Sequence, residues 1–209
     1  MKADILGSNM SASDYLETTE PAVRHFFDGL NGYDAMKPPS IIPFVDPSGL
    51  VRMSKSESDD FVNRYLDFFA LEDARAILAG SILQVAYNAI KLYSSGGQIT
   101  EQCRLLGVST KGITSKMCVG REVHNIPIGL LIYAGRIQYN HWEDGSPSNE
   151  VAKNVFRHLI SVYYDDLTFD MAYELDYPQP RPVSHYIVRL ELKWKSFDDY
   201  SKDMRSILT

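Results

Sequence analysis

Between Phe61 and Tyr93 the apolar side chains recur at helical rather than alternating intervals. Phe61, Tyr65, Phe68 and Phe69 share one side, and Ile82, Val85, Ala86, Ala89 and Ile90 continue the stripe, which is the pattern of an amphipathic helix. Ser56, Ser58, Asp59 and Asp60 offer caps and negative charge at its start. Gly80 marks a point for a bend or split, and Ser94-Ser95-Gly96-Gly97 stops the helix. Thr100 is placed to cap a short helix through Leu106, closed by Gly107. In IPIGLLIYAGRIQYN, Pro127 fits the first turn of a helix. Ile128, Leu131, Ile132, Gly135 and Tyr139 form one face of it, while Leu130, Ala134 and Ile137 make a second side apolar. A helix apolar nearly all round is a buried one. After the loop Glu143–Pro147, Ser148 caps a helix with the stripe Val151, Val155, Leu159 and Val162. The period then changes. Tyr186, Val188, Leu190, Leu192 and Trp194 alternate with Arg189, Glu191, Lys193 and Lys195, which predicts a half-buried strand. Ser196 caps a final helix through about Leu208, with Asp198 and Asp199 in its first turn.

The first 20 or so residues are polar and expected to be loose. Pro21, Pro38, Pro39, Pro43 and Pro47 argue against a long helix anywhere in 21–58. SIIPFV and GLVRM read as extended pieces around the turn Asp46-Pro47-Ser48-Gly49. The fold class predicted is mainly α: a helical bundle of segments at about 59–94, 100–106, 126–140 and 148–164. A small β element near the C-terminus, pairing 185–195 with part of 40–53, makes it α+β by strict count. Residues 1–58 form a Pro-rich N-terminal segment packed on the core, 59–165 the bundle, and 166–209 the C-terminal strand and helix of the same domain.

Composition narrows the function. A net charge of −6 disfavours coating long DNA or RNA, because phosphate affinity comes from Lys and Arg; a local basic site remains open. No stretch offers the roughly 18 uninterrupted apolar residues of a membrane span, and the N-terminus carries no signal-like apolar run. The expectation is a soluble cytoplasmic protein that does not engage membranes. Cys103 and Cys118 match no zinc spacing and are too few for a disulfide framework, consistent with a reducing compartment. There is no HExxH, GxxxxGK[ST], GxGxxG or GxSxG pattern, so neither a metal nor a cofactor is expected. The acidic pairs Asp59-Asp60, Asp165-Asp166 and Asp198-Asp199 lie near predicted helix ends, where capping explains the first and last. Arg157-His158 reads as a solvated face, and Arg121-Glu122-Val123-His124 as a loop.

One constellation suits chemistry. Arg136 sits in the most apolar helix, where a charge is costly unless partnered. Gly129, Tyr133, Arg136 and Asn140, spaced by four, three and four, share a face, and small Gly129 and Gly135 allow another backbone to approach. His141 lies about 140° around a regular helix from Arg136. The two serve one site only if the helix ends or unwinds near Asn140, or if a two-fold partner supplies the second set. A guanidinium clamps a phosphate through two hydrogen bonds, and an imidazole passes protons near neutral pH. Tyr133, Gln138 and Asn140 are placed to position a substrate.

Arg136-Ile137-Gln138-Tyr139-Asn140-His141 resembles the Arg, four-to-six residues, His signature of the HEPN superfamily, and the resemblance covers roughly residues 60–165. It implies a dimeric helical bundle and metal-independent RNA cleavage of the kind used in toxin–antitoxin and phage-defence systems. It also implies Arg136 as phosphate and transition-state ligand and His141 as proton-transfer residue. The partners that follow are a second copy of the chain, RNA and a protein antitoxin. Ile137 stands where the family usually carries a polar residue, often Asn, so a catalytically inactive relative is the companion expectation. From a different class comes a non-catalytic dimeric interaction module. There the Pro127 helix is the interface and Arg136 is a buried ion pair with Glu122, Glu143 or Glu150.

Overall fold

In the computed structural model, residues 10–36, 55–142, 149–163 and 182–208 are described. Among the described residues the fold is mainly α-helical with one small antiparallel β element. The first helix, α1 (Ala12–Asp34), begins in the part expected to be loose. Ser11 Oγ accepts from the Asp14 N–H while the Asp14 carboxylate accepts from the Ser11 N–H, a reciprocal cap. The helix then runs through Pro21, which corrects the expectation of no long helix after that residue. Proline leaves the Glu17 carbonyl without its usual donor, but Glu17 and Pro21 are both exposed, so water can serve that carbonyl. The Thr19 hydroxyl donates to the Tyr15 and Leu16 carbonyls. Leu16, Val23, Phe27 and Leu30 form the buried stripe.

Helix α2 (Lys55–Tyr93) is continuous through Gly80. A Cβ at Gly80 would lie 2.6 Å from three atoms of the Tyr139 ring, so the glycine admits a side chain from the facing helix rather than bending its own. By length and composition Ser58–Tyr93 could cross a membrane, contrary to the expectation that no segment could; half of its most apolar window is buried inside the protein. Short helices α3 (Glu101–Leu105) and α4 (Ile113–Lys116) follow, the first capped by Thr100 as predicted.

Strands β1 (Glu122–Val123) and β2 (Ile126–Pro127) pair antiparallel, Glu122 opposite Pro127 and Val123 opposite Ile126. His124 and Asn125 both take positive φ between them, as a tight mirror-type hairpin turn requires. Among the described residues the β element therefore lies here and not at 185–195, and within Arg121–His124, expected as loop, Glu122 and Val123 are strand. Helix α5 (Ile128–His141) leads directly from β2. Every residue from Ile128 to Gly135 is buried, as its all-round apolar pattern demanded, against α2 on one side and α6 (Glu150–Val162) on another. Asn149, rather than Ser148, caps α6 by accepting from the Ala152 N–H. Val151, Val155 and Leu159 are buried together with Ala152 and Phe156, whereas Val162 is exposed.

The strand expected at 185–195 is helical instead. Helix α7 (Ser184–Tyr186) continues as a π-helical stretch, Ile187–Glu191, closed by the Leu192 N–H donating to the Ile187 carbonyl. Ile187, Val188, Glu191 and Leu192 are buried, a spacing of one helical turn that overrides the alternation of period two. Residues 40–53, the strand's expected partner, with the extended pieces and the Asp46–Gly49 turn, lie outside the described residues. The last helix, α8 (Phe197–Leu208), starts where Ser196 and Asp199 exchange hydrogen bonds. It packs on α1, with Tyr200 6.4 Å from Phe27 between ring centroids and the Arg24 guanidinium 4.3 Å from the Phe197 ring centroid.

Helix α7 is tied to α2 by polar contacts. Ser184 Oγ donates to the Ala76 carbonyl at 2.7 Å, and His185 Nε2 lies 3.2 Å from Glu72 Oε2. Burial pushes the Glu72 carboxyl up, but the His185 contact and Arg75 beside it outweigh that and hold it below its ordinary value of 4.5. A carboxylate whose folded value is lowered contributes stability that is fully present above pH 4.5 and is lost as pH falls through the lowered folded value. Glu72→Gln is therefore expected to cost about 2 kcal/mol at neutral pH and to flatten the stability profile below pH 4.5. Urea denaturation of both proteins across that range checks it, and parallel profiles would refute it.

Candidate functional site

Helix α5 carries its polar face toward the C-terminal third of α2. Arg136 is half-buried, its Cζ 4.8 Å from the centroid of the Tyr87 ring, a cation–π distance. Its Nε donates to Gln84 Oε1 at 2.9 Å, and Gln84 in turn donates to Asn88 at 3.0 Å. The Asn140 amide, with its oxygen turned to the guanidinium, accepts from Arg136 Nε at 2.9 Å and Nη2 at 3.2 Å. Among the described residues no carboxylate lies within ion-pair distance of Arg136; Glu150 pairs with Lys153 instead. Glu143 lies outside the described residues. The guanidinium is thus held by neutral amides and an aromatic face, which orient it without neutralising it.

Tyr133, one turn earlier, is buried. Its hydroxyl accepts from Asn149 Nδ2 at 2.8 Å, and its ring centroid is 6.2 Å from that of Tyr87. Burial and the neighbouring Tyr87 push its phenol up, against the smaller opposing effects of Asn149 and Arg136, so it stays a hydroxyl at neutral pH. Gln138 points elsewhere. It is 2 % exposed, and its Oε1 accepts from the Val183 N–H at 2.9 Å, docking the C-terminal segment onto α5. His141 is the last residue of α5 and is exposed. The following Trp142 keeps helical dihedrals, φ −64° and ψ −31°, so the helix neither ends nor unwinds at Asn140. Five residues of regular helix separate Arg136 and His141 by about 140°. One chain thus brings Tyr133, Arg136 and Asn140 together around Gln84 and Tyr87, and places Gln138 and His141 apart from them.

A second polar cluster was not foreseen. Glu191, in the π-helical stretch, is fully buried. His124 Nε2 lies 3.4 Å from its Oε2 and 3.1 Å from Tyr163 Oη, and that hydroxyl is 3.5 Å from the same carboxylate oxygen. Burial first, then the Glu191 charge, push the Tyr163 phenol up to about 12. His158, expected on a solvated face, approaches the His124 carbonyl at 2.9 Å with Nε2. The cluster knits the hairpin, α6 and the π-helical stretch together. A glutamate one turn after Ile187 and Val188 was the signal for it in the sequence.

The cysteines are both free and buried. Burial and the adjacent Cys103 push the Cys118 thiol up to about 12, which suits packing and not nucleophilic attack. Among the described residues there is no group of three or more side chains arranged to hold a metal ion. In comparisons with known proteins, no family model, curated protein or solved structure matches this chain.

Proposed function

We propose that this chain is a HEPN-like protein whose Arg136 face binds RNA phosphate, and that it cleaves RNA without a metal ion when two copies combine Arg136 of one with His141 of the other. What supports the reading is the state of Arg136: half-exposed, oriented by Gln84, Asn140 and Tyr87, and uncompensated by any carboxylate among the described residues. A guanidinium so held has its outer edge available for a phosphate. Asn140 lies exposed on the same face and is placed to meet the substrate beside Arg136, whereas Tyr133 is buried behind it with its hydroxyl on Asn149 and Gln138 is committed to Val183. The 140° between Arg136 and His141 is what makes a second copy necessary.

The test is cleavage of total RNA in excess EDTA. Arg136→Ala and His141→Ala are each expected to lose at least about a hundredfold, the scale of removing an acid–base or charge-stabilising group. Mixing the two variants is expected to restore part of the activity, since a mixed dimer contains one intact pair. Cleavage that survives both substitutions, or none by the parent protein, overturns the reading.

The regularity of α5 through His141 favours a second reading, a non-catalytic dimeric interaction module. Since Ile128–Gly135 is consumed by the chain's own core, its interface would use only the Arg136–His141 end of α5.

A further inference from the structure

The C-terminal end of α1, the middle of α2 and the α7–π-helical segment enclose a cavity of about 560 Å³, within the range of small-molecule sites. Its wall is densely charged. Arg75 lies 3.3 Å from Asp34 and 2.6 Å from Glu72 and donates to the Tyr33 carbonyl at 2.9 Å; Arg189 lies 2.8 Å from Asp34 and donates to Asn31 at 2.6 Å and to the Trp194 carbonyl at 2.8 Å. His185 faces Glu72 on the same wall. Lys195 lines the cavity too; it is exposed, and among the described residues no carboxylate comes within ion-pair distance of its ammonium. Three permanent cations, Arg75, Arg189 and Lys195, therefore oppose two carboxylates, Asp34 and Glu72, leaving one net positive charge.

The wall also contains orphaned nitrogens. Among the described residues, the buried side-chain nitrogen and oxygen atoms without a hydrogen-bond partner are Arg75 Nε, His185 Nδ1 and Tyr200 Oη. The first two belong to this one cavity. The Asp34 carboxylate is near Arg75 Nε but out of line for a hydrogen bond. Both orphaned nitrogens are covered by the protein itself and lie behind the cavity surface, where Arg75 and His185 add polarity to the wall; the exposed Lys195 ammonium is the group that an acceptor from outside the chain meets first. Tyr186 and Leu190 supply an apolar flank.

We propose that this cavity binds a small anionic metabolite by its phosphate or carboxylate group, with Lys195 and Arg189 as the anchoring cations and Tyr186 and Leu190 against its apolar body. The site is separate from Arg136 and does not depend on RNA cleavage.

Titration calorimetry of the full chain with inorganic phosphate, adenosine monophosphate and succinate tests it and separates the two anion types. Saturable binding of at least one probe is expected, weakened about tenfold or more by Lys195→Glu and unchanged by Arg136→Ala. Lys195 is exposed, so the variant's melting temperature should match the parent's and exclude misfolding as the cause. The proposal is overturned by the absence of saturable binding up to about 10 mM of every probe, by binding that Lys195→Glu leaves intact, or by binding that Arg136→Ala abolishes.

Discussion

Gly129→Ala is expected to destabilise the protein by about 3 kcal/mol, the upper part of the range for forcing an extra methyl into a packed core. In a chain of this length that lowers the melting temperature by about 10 °C. Gly129 is the second residue of α5, where its own N–H donates to the Val119 carbonyl at 3.2 Å. A Cβ there would stand 2.4 Å from the Met117 carbonyl oxygen and 2.9 Å from Val119 Cγ2. The nearest obstacle is backbone, which cannot swing aside as a side chain can. Either α5 lifts from the α4–β1 connection, breaking the Val119 hydrogen bond, or that connection moves and uncovers Met117 and Cys118, both buried. Gly32→Ala is the matched control. Gly32 lies in α1 with nothing within 4 Å of the new methyl, so helix propensity alone favours alanine there, by up to about 1 kcal/mol. Thermal melts of the two variants should diverge in sign. A Gly129→Ala protein melting within a degree or two of the parent would refute the argument.

Asp203→Ala should cost a comparable amount, about 3 kcal/mol, for a different reason. Asp203 on α8 is 9 % exposed and accepts from Trp194 Nε1 at 2.8 Å, from Arg121 Nη2 at 2.9 Å and from Arg121 Nε at 3.1 Å. The two donors are not equally hurt by its loss. The Arg121 side chain is 42 % exposed, so water can take over much of its solvation, and the Leu192 carbonyl still accepts from its Nη2. Trp194 is 1 % exposed, and its indole N–H would be left buried with no acceptor, at about 1–3 kcal/mol; the void left by the side chain adds to that. Asp203→Asn keeps an acceptor for the indole but turns an amide toward the guanidinium, and should lose roughly half as much. Guanidinium denaturation of the three proteins checks the ranking, with tryptophan fluorescence reporting on Trp194. A loss below about 1 kcal/mol for the alanine variant would show that Asp203 is not the hub that holds α8.

The parts of the fold that were legible in the sequence are those where local pattern and final burial agree. In α5 the apolar run Ile128–Ile132 has no polar side to turn outward, so burial followed at once. In α6, Val151, Val155 and Leu159 fall on one stripe and are buried there. The Ile187–Trp194 stretch was misread because period two and period four both fit it until Glu191 is assigned a side. A charged residue in an alternating run was placed outward; in the structure it faces inward, because His124 and Tyr163, 67 and 28 residues away, supply its partners. No local rule contains that information. In α1 the error was to give Pro21 priority over Leu16, Val23, Phe27 and Leu30. An exposed proline costs one hydrogen bond that water replaces, while four buried side chains contribute several kcal/mol. For the candidate site, spacing on α5 correctly placed Tyr133, Arg136 and Asn140 together. Gln84 and Tyr87, which fix the guanidinium, come from α2 about 50 residues earlier. Gln138 looked like a substrate ligand because its obligation to Val183 is a long-range one.

The packing of the last helix on the first has a consequence for how the protein is made. Phe27 emerges from the ribosome early, and Tyr200, which covers it, emerges some 170 residues later. At ordinary elongation rates of about 5–20 residues per second, that is a wait of roughly 10 to 35 s. During that interval the side of α1 bearing Phe27 cannot reach its final partner, whatever α2 has already done for the other side. Until Tyr200 arrives, the nascent chain offers a chaperone the Phe27 face of α1.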